Sequence, residues 1–300
     1  MKNQRPKWLN NKARESRENP STSEQAIRHL RVREIPADRD PPVSLELKCK
    51  HCGLIATHVV GTVALDPPTP SDSPSLADFE SRLAFTGIVL CAGCDAVGPW
   101  GLTPDSLATV LALIKGHQGG REGIRFLFGR LRLFDGTFVR SGAEGVRHIQ
   151  ECIRREPDCA FLWDRLGNQF DSAECPPEAL AAWRRALGID PDFVPSLFSV
   201  GRILMDQGNH AGAVEAWHRF LQFVRKCDRL DIDTKRKFTR TVLENLIEIH
   251  EASCGALPWL PEPETVTSTQ GDVVLRLRSY DLSRPEHWDR LVDDFVVPLG

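Results

Sequence analysis

The sequence has no run of roughly 20 apolar residues of the kind that spans a bilayer, and its opening stretch MKNQRPKWLNNKARESREN lacks the apolar centre of a secretory signal. Neither a membrane nor export is expected, and the expected compartment is the cytoplasm. No single sign of charge prevails either. The 38 Lys and Arg face 41 Asp and Glu, a formal charge of −3, so no chain-wide field draws the protein to nucleic acid or to an anionic surface. There is no Gly-x-x-x-x-Gly-Lys phosphate loop, no Gly-x-Ser-x-Gly nucleophile turn and no His-Glu-x-x-His zinc helix. These absences argue against an enzyme and a small-molecule substrate. His250-Glu251 could be taken as an acid and base, but the pair has no convergent partner and reads as a solvated helix face.

What is present is enough for roughly two domains, since 300 residues with 41% hydrophobic content can bury ordinary cores. Residues 1–40 hold ten basic and six acidic residues with almost no apolar periodicity, and read as a disordered, mildly basic arm. The nine cysteines are an odd count without an export signal, which argues for reduced thiols. Cys152, Cys159, Cys175, Cys227 and Cys254 read as small buried apolar residues.

The other four cysteines form two Cys-x-x-Cys pairs, Cys49/Cys52 and Cys91/Cys94. The turn within each pair directs two sulfurs inward, and two pairs complete a closed tetrahedral shell with no position left for water. Val43 to Leu47 alternates in polarity, Lys48-Cys49-Lys50-His51-Cys52-Gly53 makes a tight turn, and Ile55 to Leu65 reads as the returning strand. After the Pro/Ser-rich loop from Asp66 to Ser75, Ala84 to Leu90 reads as a third strand ending at the second pair, with a short strand or turn through Val97 and Trp100. Thr103 and Pro104 then open a helix as N-cap and first helical residue, ending near Lys115-Gly116. Residues 41–118 thus resemble a zinc ribbon with a C-terminal helix, and the expected cofactor is one structural Zn2+ on Cys49, Cys52, Cys91 and Cys94. Iron suits the same four-sulfur shell. His51, between two cysteines, is expected to face solvent, and His58 is the other nearby imidazole.

Beyond the Gly-rich break at His117-Gln118-Gly119-Gly120 the chain is read as helical. Trp163, Leu166-Gly167, Phe170, Ala179, Trp183 and Pro191 follow the pattern of the tetratricopeptide repeat, and this stretch resembles that family. At the family's period, Gly201, Leu204, Ala213 and Trp217 form a downstream copy with a turn at Gly208-Asn209. Ile149, Cys152 and Pro157 mark an upstream second helix whose first helix would be Ile124 to Phe134. Asp231 to Ala252, with Phe238, Val242, Leu243, Leu246 and Ile249 on one side, reads as the capping helix. The resemblance covers residues 122–255. Residues 256–300 read as a Pro-rich linker, a strand over Val273 to Tyr280 and a helix over Ser283 to Phe295, folded back on either the ribbon or the repeats. The expected fold class is α+β, a small β ribbon followed by an all-α solenoid.

The resemblance implies a groove that binds a protein or peptide, lined by first-helix residues: Asp164, Asn168 and Asp171, then Phe198, Arg202 and Met205. Asp164 stands one turn before Asn168, where the carboxylate-clamp subclass carries Lys, so a mixed basic and apolar partner segment is expected. The leading expectation is a non-enzymatic adaptor or scaffold. The alternative is a nucleic-acid or ribonucleoprotein factor using the basic arm with Lys48, Lys50 and His51 at the first pair. Arg outnumbers Lys 29 to 9, a bias that suggests a GC-rich, bacterial genome.

Overall fold

In the computed structural model, residues 42–67, 75–121, 123–261, 265–268, 271–274 and 285–297 are described. The basic arm of residues 1–40 and the capping residue Ser283 lie outside them.

Strand β1 (Val43–Cys49) buries Leu45, Leu47 and Cys49 and exposes Ser44, Glu46 and Lys48, the alternation its sequence dictates. It is the central strand of an antiparallel sheet, between β2 (Ile55–Gly61) and β5 (Trp100–Leu102). The expected long returning strand breaks at Thr62, whose backbone N–H donates to Thr86 Oγ1 at 2.9 Å. Its remainder, β3 (Val63–Leu65), joins a second sheet. There β3 pairs antiparallel with β4 (Leu83–Phe85) and parallel with β6 (Phe126–Phe128). Helix α1 (Leu76–Ser81), capped by Ser75, enters β4.

The third strand stops at Phe85 instead of continuing to Leu90. Gly87 has left the ladder: its N–H donates to Val60 O and its carbonyl accepts from Gly142 N, at 2.9 and 3.0 Å. A Cβ on Gly142 would stand 2.2 Å from Thr86 O, so only glycine lets the following helix start against this backbone. Helix α2 (Pro104–Gln118) has Thr103 as N-cap and Pro104 in its first turn, as expected, and runs two residues beyond Gly116. The buried Ser106 hydroxyl fastens it to β1, accepting from Glu46 N at 2.8 Å and donating to Glu46 O at 2.9 Å.

The interval read as the first helix of an upstream repeat, Ile124 to Phe134, holds two short strands instead. β6 is followed by β7 (Leu131–Arg132), which pairs with β8 (Phe138–Val139). Arg130-Leu131-Arg132-Leu133 alternates with period two, and Gly123, Gly129 and Gly136 take φ of +79°, +143° and +92°, which a helix does not admit.

Six helices follow: α3 (Gly142–Arg155), α4 (Ala160–Ser172), α5 (Pro176–Ile189), α6 (Val194–Asp206), α7 (His210–Phe223) and α8 (Ile232–Ala252). α6 begins 34 residues after α4, and α7 begins 34 after α5, so two hairpins repeat in phase. Each closes on the same contact. A Cβ on Gly167 would lie 2.4 Å from Trp183 Nε1, and one on Gly201 would lie 2.2 Å from Trp217 Nε1. Both indoles are fully buried, and glycine is what admits them. α8 is capped by Asp231, whose carboxylate accepts from Thr234 N at 2.8 Å, and buries Val242, Leu243, Leu246 and Ile249.

Strands β9 (Thr265–Ser268) and β10 (Gly271–Val274) form a hairpin; the expected strand's end at Tyr280 lies outside the described residues. Helix α9 (Pro285–Val296) returns to the helices rather than to the ribbon, burying Leu291, Val292, Phe295 and Val296 in their core. Arg236 pairs with Asp293 at 2.8 Å, and Arg240 with Asp289. The two cores meet at the segment before the second cysteine pair. Val89 belongs to the sheet core and its neighbour Leu90 to the helical core. Among the described residues no helix is long and apolar enough to cross a membrane.

Candidate functional site

The two cysteine turns have the same backbone construction. Cys49 N donates to Leu54 O at 2.8 Å and Gly53 N to Cys49 O at 2.9 Å. In the second turn Cys91 N donates to Ala96 O and Asp95 N to Cys91 O, both at 2.9 Å. The residue after each pair is left-handed, Gly53 at φ +79° and Asp95 at φ +56°. That explains the Gly and the Asp at these positions, because both tolerate this region better than other residues.

β1 and β2 carry the first turn, and the exit from β4 delivers the second to it. Cys49 Sγ lies 3.6 Å from Cys94 Sγ, Cys52 Sγ lies 3.4 Å from Cys91 Sγ, and all four sulfurs are within 4.8 Å of one another. Metal–sulfur bonds of about 2.3 Å in a tetrahedron require sulfur separations of about 3.8 Å, so the four thiols fit one ion. Cys49 and Cys91 are buried, while Cys52 and Cys94 face outward.

The thiols lie close enough to shift one another's ionisation. Burial pushes the Cys91 thiol up, but the Gly93 N–H at 3.4 Å and the Cys52 thiol outweigh it and bring the value down to about 7. The Ala96 N–H favours the Cys94 thiolate, yet burial and the neighbouring thiols push Cys94 up to about 12. The Leu54 N–H likewise favours the Cys52 thiolate, but the Cys91 thiol and burial raise Cys52. Protons thus leave this cluster one after another, whereas a bound cation would hold all four groups as thiolates. A structural ion such as zinc is compatible with this donor set.

His51 is exposed and His58 packs against Trp100, with ring centroids 5.1 Å apart, so neither imidazole completes the shell. Lys50 is tied to Glu80 at 2.7 Å, and the second turn is braced from α3 by Arg147, which donates to Asp95 O at 3.3 Å. Of the other cysteines, Cys152, Cys175 and Cys227 are buried and Cys159 partly so. Cys254 is exposed rather than buried, a correction: it lies in the turn just past the end of α8.

The residues expected to line a groove are largely consumed in joining the hairpins. Asp164 is the clearest correction: it is fully buried, not outward. Its carboxylate accepts from Ser196 Oγ on α6 at 2.8 Å, from Arg165 at 2.6 Å and from Asn168 at 3.3 Å. Burial nevertheless raises its pKa, against the pull of Arg165 and these hydrogen bonds. Asn168 accepts from Trp183 Nε1 at 3.0 Å. Its counterpart in the next hairpin is Arg202, which offers no acceptor, and the Trp217 indole donates instead to Phe198 O at 3.2 Å. Asp171 pairs with Arg202 at 2.7 Å, Phe198 stacks on Phe238 with centroids 4.1 Å apart, and Met205 packs against the helical core.

One arrangement was not legible beforehand. His148 Nε2 lies 2.6 Å from Asp135 Oδ2 and 3.8 Å from Cys152 Sγ. It resembles a nucleophile, base and acid set, but thiol and carboxylate meet the same ring nitrogen, so the imidazole cannot relay a proton between them. Burial also pushes the Cys152 thiol up, away from the reactive thiolate. The Asp135–His148 pair ties the β7–β8 turn to α3. Comparison with protein-family models and with curated proteins finds no match.

Proposed function

We propose that this chain is a non-enzymatic adaptor whose tetratricopeptide-like hairpins receive a segment of another protein, with the four-cysteine ribbon serving as a structural zinc module. The observation that carries the reading is the phased pair of hairpins, each locked by a Gly–Trp contact 34 residues from the next. Stacked hairpins of this kind leave their first helices side by side, and such surfaces recognise extended or helical segments. Here α4 and α6 are adjacent, joined by Asp164–Ser196 and Asp171–Arg202. With four protein ligands on the ion, the ribbon has no coordination position for substrate or water, which favours a structural role.

The test is photo-crosslinking from a benzoylphenylalanine placed at Ser199, half-buried on α6, against the same label at Arg184, exposed on α5. A discrete protein adduct from Ser199 and none from Arg184 is the expected result. Adducts from Arg184 alone, or from neither, would defeat the adaptor reading. Nucleic-acid binding through the first cysteine turn has less support, because Lys50 is engaged by Glu80.

A further inference from the structure

The segment from Lys115 to Arg140 joins the ribbon to the helices and carries six Lys or Arg against two acidic residues, in a chain of formal charge −3. Four phenylalanines are interleaved with those cations, and the strands leave two of them open: Phe128 is 42% and Phe138 55% exposed. Phe138 lies opposite Arg132 in the β7–β8 register. The guanidinium carbons of Arg130 and Arg132 stand over its ring at 5.1 and 5.6 Å from the centroid, forming a solvent-facing ladder of flat cationic and aromatic groups. Arg130 is shared with Asp66, whereas Arg132 and Arg140 have no ion-pair partner among the described residues.

Phe138 and Arg140 also line a cleft of about 340 Å³ together with Lys50, Pro99 and Trp100 of the ribbon. The Trp100 N–H is already satisfied by Val97 O at 3.1 Å, so a ligand need not supply an acceptor for it. The cleft also holds Glu80 and Glu144. Their oxygens already accept from Lys50, the Leu102 N–H and the Arg140 N–H, and their remaining lone pairs can accept from the exocyclic amino group of a base.

We propose that this strip and cleft bind single-stranded nucleic acid. A base enters the cleft against Trp100 and Phe138, neighbouring bases stack on the Arg–Phe ladder, and Arg132 and Arg140 take the phosphates. Single strands are favoured over duplex because stacking platforms act on bases already out of a helix. No residue lining the cleft belongs to α4 or α6, so the proposal stands or falls separately from the adaptor reading.

The experiment is fluorescence anisotropy of a short labelled oligouridine with the full, metal-loaded chain, titrated at several salt concentrations. Binding should weaken with salt, and Arg132→Ala with Arg140→Ala should flatten the log–log slope by about 1.4, at about 0.7 per phosphate contact. Phe138→Ala, at an exposed site, should weaken binding about 5- to 150-fold. Lys48→Ala with His51→Ala, at the first cysteine turn, should leave the strip's contribution intact. No salt-dependent binding, unchanged affinity in the Phe138 and arginine variants, or equal affinity for a duplex of the same length would overturn the proposal. So would an acidic peptide that binds with the same dependence on Phe138, because it would assign the surface to a protein.

Discussion

Replacing Gly201 by alanine inserts one methyl group against Trp217, and the outcome follows from opposed terms. The added Cβ would stand 2.2 Å from Nε1 and 2.5 Å from both Cδ1 and Cε2 of a fully buried ring. An ordinary contact is about 3.5 Å, so the indole must retreat by roughly 1 Å or the two helices must part. Overpacking of this kind costs about 1–3 kcal/mol. Losing the indole's hydrogen bond to Phe198 O adds about 1 kcal/mol, while the better helix propensity of alanine returns about 1 kcal/mol. The net loss should be about 1–3 kcal/mol. Gly188 in α5 is the control, because a Cβ there meets nothing within 4 Å. Gly188→Ala should therefore gain up to about 1 kcal/mol from propensity alone. Urea unfolding followed by circular dichroism at helical wavelengths reads both variants on one scale. Adding Trp217→Leu to Gly201→Ala should give a double variant less damaged than the two changes summed, by about 1 kcal/mol or more. Two alanine variants that shift the midpoint alike would refute the reasoning.

Elemental analysis of reduced protein should return one metal ion per chain, and Cys91→Ser should lose it with disruption of the sheets while helical ellipticity largely persists; loading should fall as pH falls, because protons compete for the thiolates. The raised pKa of Asp164 means the folded state holds this proton more tightly than the unfolded chain. Stability from this group is therefore greatest at low pH and is lost as pH rises from about 3.8 through the raised folded value, and Asp164→Asn should flatten that slope in pH-dependent melts. At neutral pH, Ser196→Ala should cost about 1–3 kcal/mol by removing a donor from a buried carboxylate. For α9, Leu291→Ala should cost about 2–5 kcal/mol in denaturant titrations, but Arg240→Ala less than about 1 kcal/mol, since its ion pair with Asp289 is solvent-exposed.

The sequence by itself determined the features governed by local geometry. Two Cys-x-x-Cys turns, each followed by a residue able to take positive φ, can only present their sulfurs inward. Thr103 with Pro104 announces a helix start, because the first satisfies an early backbone donor and the second dispenses with one. The 34-residue spacing of Gly167 with Trp183 and Gly201 with Trp217 marked the hairpins, because a bulky ring against a glycine is a contact within one hairpin. The interval from Ile124 to Phe134, read as a helix, was not legible: its apolar residues permit a helix as well as strands, and β3 decided between them by offering a parallel edge to β6.

Only the tertiary structure decided what lies between units. Whether Asp164 faces solvent depends on where α6 sets Ser196, 32 residues away, and whether Phe198 is open depends on Phe238 arriving from α8. The exposure of Phe138 follows from the pairing of β7 with β8, and the landing of α9 on α8 from an apolar face that could have covered either core. A side chain's period places it on a face of its own helix or strand. What covers that face is set by elements distant in the chain, through the packing of whole surfaces.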